Sequence, residues 1–328
     1  MAPNIQSSTI EPEIAADITV DGSKQAKREF KAQIVWRNVA IMTGLHLAGL
    51  YGLYLCFTAA QWQTIVCAIL LYIISGLGIT AGAHRLWSHR AYKAKFPLRV
   101  VLTIFNTMAF QNSIYEWSRD HRVHHKYSET DADPHNANRG FFFAHCGWLL
   151  CRKHPDVLEK GKTVSCEDLL QDPLVRFQRK FYLPLVFVFC FLLPTVLPNY
   201  LWGESFFNAY FVCALLRYTW TLNMTWLVNS AAHFWGRRPY DKHISPAENA
   251  VTIIGAIGEG FHNYHHTFPW DYATSELGPK FNLTTCFIDT CAYLGWAYDL
   301  KTVSPQVIRQ RKERTGDTKD KGPYGYYN

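Results

Sequence analysis

The sequence predicts an all-α integral membrane protein: four transmembrane helices in two hairpins, with a cytosolic helical cap that gathers a metal centre. Three observations lead there. From Asn38 to His84 there is no Lys, Arg, Asp or Glu, and from Phe181 to Leu216 the only charged residue is Glu204. Each stretch is long enough for two crossings, since about 20 helical residues cover the roughly 30 Å hydrocarbon layer. Every Lys and Arg except Arg217 then falls on the side of the N-terminus, which the positive-inside rule places in the cytosol. Finally, nine of the 14 histidines fall into four short clusters, all following the second or fourth span and therefore all on that same side.

Residues 1–33 are polar and mixed in charge, with no apolar core, and are expected to form a disordered tail and not a signal peptide. The main domain is expected over 34–301. Span one is predicted at about 39–59 and span two at about 64–83, joined by Ala60-Gln61-Trp62-Gln63, a connection short enough to force an antiparallel hairpin. Spans three and four, about 181–201 and 206–228, repeat the arrangement with Trp202-Gly-Glu-Ser205 at the tip. The cap is expected to comprise 84–180 and 229–301. Within it, Leu98 to Tyr115 is apolar but interrupted by Thr103, Asn106, Thr107, Gln111 and Asn112, so it reads as one interfacial amphipathic helix and not a fifth span. Ala250 to Phe261 is too short to cross. Residues 302–328 read as a short helix and a tail. Arg217, in mid-span, is expected to hydrogen-bond inside the bundle near Thr221 and Asn223, and His46 to make a core polar contact. The nine cysteines contain no C-x-x-C pair and read as small apolar filler in a reducing compartment.

The chemistry lies in His121-Arg-Val-His124-His125 and its echo His262-Asn-Tyr-His265-His266. On a helix each residue advances about 100°, so His124 and His125 diverge, with His121 between them. One ion cannot easily take all three, whereas two neighbouring ions can. His84 and His89 in His-Arg-Leu-Trp-Ser-His, and His233 in Asn-Ser-Ala-Ala-His, complete the supply. No zinc pattern fits, because structural zinc sites close with four ligands and catalytic ones keep three. Imidazole suits iron, copper, nickel and zinc alike, so ligand type leaves the element open.

In order, these three histidine boxes resemble those of the membrane-bound acyl-CoA desaturases of the stearoyl-CoA desaturase type. The similarity extends through Gly82–His89, Glu116–Arg122, Asp133–Asn136, Gly140–Phe143 and Trp226–His233, and covers roughly residues 34 to 316. Insect enzymes, including those of moth pheromone glands, look most similar. The resemblance implies two iron ions held by His84, His89, His121, His124, His125, His233, His262, His265 and His266, with Asn229 reaching a metal through water. It implies a cis double bond at Δ11 or Δ9 of a long-chain acyl-CoA, made with dioxygen and electrons from NADH through cytochrome b5 and its reductase. It also implies an endoplasmic reticulum membrane with both termini cytosolic, and a role in lipid and pheromone biosynthesis. An unactivated C–H bond offers no acidic proton, so such chemistry needs a metal cofactor while the protein supplies positioning. The net charge of +7 suits an acidic electron donor and an acidic coenzyme A head group, and basic topology signals account for it without any nucleic acid.

By the same resemblance, Asn38, Asn112, Arg119, Asp120, Arg152 and Lys153 occupy positions that hold coenzyme A. Gln111, Thr225 and Trp226 occupy the bend of the acyl tunnel, and Tyr72 and Gly76 its closed end. Two other readings stand beside this one. A histidine-box hydroxylase would yield an alcohol, and a metal transporter or sensor would need polar groups along its spans.

Overall fold

The structure, a computed structural model, describes residues 32–317. All but the last two positions of the expected N-terminal tail, and the tail beyond Asp317, lie outside the described residues. Three helices are long and apolar enough to cross a membrane: Trp36–Thr58, Trp62–Ser88 and Tyr182–Trp202. Their outer faces carry exposed Trp36, Leu47, Phe57, Ile69, Leu183 and Phe187, side chains that only a lipid phase would accept in such number. The expected fourth span is also one continuous helix, over 206–229, but Arg217, Asn223 and several threonines make it more polar, and much of it is buried among the other helices.

Glycines set how closely these helices approach. A Cβ at Gly52 would fall 2.4 Å from the Phe211 carbonyl oxygen, and one at Gly49 2.9 Å from Thr219 Oγ1, so the first helix lies directly on the fourth. Arg217 is 2% exposed. Its guanidinium bonds the carbonyls of Cys213, Met108 and Cys190 at 3.2, 2.8 and 2.9 Å, inside the bundle as the sequence suggests. Two of these acceptors, Cys190 and Cys213, sit in π-helical turns. His46 does make a core contact, bonding Asn223 at 3.1 Å and the Met42 carbonyl at 2.8 Å.

At the tips of the hairpins, Glu204 is 2% exposed and accepts from Gln61 N, Thr64 Oγ1, Ser205 N and Asn208 Nδ2 at 2.7 to 3.0 Å. One carboxylate thus ties the two tips together, and every bond it makes is to a neutral donor.

The cap differs from expectation at two places. The second helix does not end at 83 but continues to Ser88, carrying His84 within it. The segment 98–115 is two helices and not one: Phe96–Ala109 stops at Phe110, whose φ of 48° is left-handed, and Ser113 starts Ile114–Tyr127 by accepting from Glu116 N. The first of the pair is buried on one face against the second spanning helix, where a Cβ at Gly78 would fall 2.1 Å from Asn106 N. A two-residue pairing of Lys93–Ala94 with Ala297–Tyr298 is antiparallel, and the helix Pro305–Thr315 closes the described chain.

Candidate metal centre

His84 and His89 show why local backbone matters here. Five residues apart on an α-helix they would point about 140° apart. Gly78–Ser88 is instead π-helical, and His89 N bonds the His84 carbonyl at 3.1 Å, which stacks the two residues one above the other. Their rings come within 4.9 Å. Ile114–Tyr127 presents His121, His124 and His125, the short helix Ala231–Phe234 presents His233, and His262–Thr267 presents His262, His265 and His266.

The nine imidazoles sort into two groups. One holds His84, His89, His121, His125 and His265, the other His124, His233, His262 and His266; within each, one ligand atom per residue lies within 4.8 Å of all the rest. His124 and His125 part company, as the helical angles require. In the first group Nε2 atoms approach in pairs: His89 with His121 at 2.8 Å, His125 with His265 at 2.9 Å, and His84 with His265 at 3.0 Å. In the second, His262 Nε2 lies 3.0 Å from His233 Nε2 and 3.1 Å from His266 Nε2. Two nitrogens each about 2.1 Å from one ion and at right angles to it are about 3.0 Å apart, so both groups fit a metal ion at their centre. His124 Nε2 is buried with no hydrogen-bond partner, as a ligand nitrogen would be.

Burial lowers the pKa of His89, His121, His125, His262, His265 and His266 well below the ordinary value, and their mutual repulsion adds to it, so they offer neutral lone pairs. Behind them stand carboxylates that single-residue patterns do not reveal. Glu259 Oε2 is 2.9 Å from His84 Nδ1, Asp133 Oδ1 is 2.9 Å from His124 Nδ1, and Glu129 Oε1 is 3.2 Å from His233 Nδ1. Such partners fix ring orientation and tautomer. Burial would raise the Glu259 carboxyl, but Arg85 and His84 override it and hold it at about 2. Burial likewise would lower His124, and Asp133 reverses the direction. His135 is not in either ligand group of four or five; its backbone N bonds Asp133, and burial takes its ring down to about 3. In the sequence Glu259 is the one charged residue between 249 and 270, beside the last box, whereas Glu129 and Asp133 stand with Asp131 in a run of three alternating acids that marks none of them out.

Two cavities meet at this centre, sharing Trp117, His121, Thr225 and Asn229. The inner one runs past Ile79 and Thr80 to Tyr72 and Gly76, where the Tyr72 hydroxyl bonds the Gly255 carbonyl. The outer one is lined by Gln111, Asn112, Asp120, Trp148 and Trp226. Gln111 Nε2 bonds Thr225 Oγ1 at 2.9 Å where the two join. Arg119, Arg152, Lys153 and Asn38 do not line either cavity: Arg119 and Lys153 pair with Asp120, the Asn38 amide donates to the Leu149 carbonyl at 2.8 Å, and Arg152 is exposed beside them. Asp120 is kept below its usual carboxylate range although burial opposes it, because Lys153 and Arg119 outweigh burial.

Comparison with known proteins agrees with this arrangement. The sequence profile of the family described as fatty acid desaturase matches residues 60–283. The chain is 60% identical to an acyl-CoA Delta-9 desaturase of Acheta domesticus, over 97% of this chain and 92% of that one. It is 56% identical to an acyl-CoA Delta(11) desaturase of Trichoplusia ni, over 97% and 90%, and 59% identical to stearoyl-CoA desaturase 5 of Homo sapiens, over 88% and 87%. With the histidine boxes, the buried two-part cluster and these relatives together, the chain belongs to the fatty acid desaturase family and is an oxidoreductase.

Proposed function

We propose that this chain desaturates a long-chain acyl-CoA, placing a cis double bond at Δ9 or Δ11. The observation that carries the reading is the junction of the two cavities at the histidines: an acyl chain threaded from the outer cavity into the inner one passes directly by the metal centre. Nine histidines would hold two iron ions, with Asn229 oriented toward one through water. Iron would supply the oxidising power that C–H cleavage needs, with electrons reaching it from NADH through cytochrome b5 and its reductase. The chain's own residues do the rest. Gln111 and Thr225 hold the bend, Trp226 walls it, and Tyr72 and Gly76 close the far end. Asn112 and Asp120, with Arg119, Lys153, Arg152 and Asn38 around the mouth, suit a polar phosphate-bearing head group, since Arg and Lys pair with phosphate.

The helix 206–229 is read as a fourth crossing, which puts both termini and the histidine cap on one side, the cytosolic face of the endoplasmic reticulum. Residues 34–301 then form one catalytic domain. Relatives of both regiochemistries share similar identity with this chain, so the position of the double bond rests on tunnel length to within one methylene. The test is expression in a yeast strain lacking its own desaturase, with double-bond positions read from the extracted lipids. Alkenes at Δ9 or Δ11 are expected; an alcohol product would turn the assignment to a hydroxylase.

A further inference from the structure

The carboxylates behind the two histidine groups are unequally compensated. On the five-histidine side, Glu259 is paired with Arg85, whose Nε and Nη2 reach Glu259 Oε1 at 2.9 and 2.7 Å. Arg85 is fully buried, and its remaining bonds run to neutral acceptors: the Tyr272 carbonyl at 2.8 Å, Thr285 Oγ1 at 2.9 Å and Asn282 Oδ1 at 3.1 Å. The pair adds no net charge. Arg122, beside His89, shares Asp168 with Arg90, so this trio leaves a surplus of one positive charge on the same side.

On the four-histidine side the sign is opposite. Asp133, besides His124, accepts from the backbone N–H groups of Glu129 and His135 at 2.8 and 2.9 Å. Glu129, besides His233, accepts from the Ser245 hydroxyl at 2.5 Å. Among the described residues no Lys or Arg pairs with either carboxylate. Arg119 and Lys153 are both committed to Asp120.

We infer that Asp133 and Glu129 make the four-histidine site the one that holds the ion of higher charge, while Arg85 and Arg122 keep the five-histidine site at the lower one. The inference rests on the iron reading above. Each fixed anion favours an added positive charge on a nearby ion and each fixed cation opposes it, and burial leaves the interaction weakly screened. The step is the loss of one electron from a diferrous centre to give a ferrous–ferric one, the electron passing to an added one-electron oxidant. Arg85, Asp133 and Glu129 line neither cavity, and Glu259 lines the inner one beside His84; all four are positioning residues that act through the imidazoles.

The test uses the whole protein in detergent, loaded with ferrous iron enriched in the Mössbauer isotope. Metal analysis comes first, and two irons per chain are expected. Anaerobic titration with ferricyanide is then followed by Mössbauer spectroscopy. The parent should oxidise in two resolved steps, with a single ferric environment after the first. Asp133→Asn and, as a separate variant, Glu129→Gln should each make the first step harder, by about tenfold or more in its equilibrium constant. Glu259→Gln, which leaves Arg85 uncompensated, should leave the first step in place and make only the second harder; Arg85→Lys should behave as the parent. The inference is overturned if Glu259→Gln moves the first step while Asp133→Asn and Glu129→Gln do not, or if both irons oxidise together with no preferred site. A parent chain that carries a different metal would overturn the iron reading itself, and the metal analysis reports that separately.

Discussion

The two ends of the spanning bundle bury polar groups in opposite ways. At the hairpin tips a single carboxylate, Glu204, has its demands met by four neutral donors from both hairpins. At the other end nine imidazoles are gathered, eight of them with their Nε2 atoms 2.8 to 3.1 Å apart in pairs, an arrangement that repels unless something positive sits between them. A buried polar group that satisfies itself is there for the fold; a buried set that leaves its lone pairs converging is there for a ligand. That contrast can be tested from both sides.

The largest effect is expected at the histidine end. Replacing any one of His84, His89, His121, His124, His125, His233, His262, His265 or His266 by Ala should abolish desaturation and lower bound metal, with the protein still in the membrane; His46→Ala and His243→Ala should be far milder. Product analysis together with metal content checks it, and near-normal product from two of the nine would break the distinction. Glu204→Ala should do the reverse. Each buried donor left without an acceptor costs about 1–3 kcal/mol, so the thermal midpoint in detergent should fall by several degrees while metal content holds.

A smaller, more selective change is expected where the inner cavity closes. A Cβ at Gly76 would already sit 3.0 Å from Ile257 Cδ1, so Gly76→Leu must fill the end of the cavity. Burial of each methylene favours the longer chain by about 0.8 kcal/mol, and only steric closure can stop it. Gly76→Leu should therefore shift preference to acyl chains shorter by two or more carbons, and Tyr72→Ala, which also removes the bond to the Gly255 carbonyl, toward longer ones. Competition among acyl-CoAs of graded length in microsomes reads this; unchanged length profiles in both variants would move the tunnel elsewhere.

The smallest effect expected is none at all, and it concerns sidedness. The natural sequon Asn282-Leu-Thr284 is a poor reporter, because Asn282 is 1% exposed and both ends of its amide are engaged, donating to the Ala273 carbonyl and accepting from Arg85. A sequon on an extension of the C-terminus is the better probe. It should remain unmodified if that end is cytosolic, and a glycosidase-sensitive mass shift would reverse the orientation.

Much of this contrast was legible in the sequence, and the illegible part has a common cause. The histidine boxes were readable because their spacing repeats along the chain and helical angles alone send His124 and His125 to different groups. The spans were readable because lipid excludes charge from long runs, and Arg217 did not hide the fourth helix. Glu259, Asp133 and Glu129 were not readable as partners: the role of each depends on which ring it meets, and that is set by packing between segments. The break at Phe110 was hidden for a related reason. The polar run Gln111-Asn112-Ser113 follows it and Asn112 is left-handed too, at a φ of 72°, but polar residues also interrupt the helix before it, at Thr103, Asn106 and Thr107, so they did not single out the break.

The widened helix at Gly78–Ser88 also works as a ruler for insertions and deletions. With four residues between His84 and His89, the rings share a face only because the backbone bonds run to the fifth residue back. Removing one residue between them would put the histidines four apart, which an ordinary α-helix already stacks, so the chain could tighten and keep both rings aimed together. Adding one would leave no helical form that aligns them. The gap in this box can thus shrink by a residue at little cost, but it cannot grow.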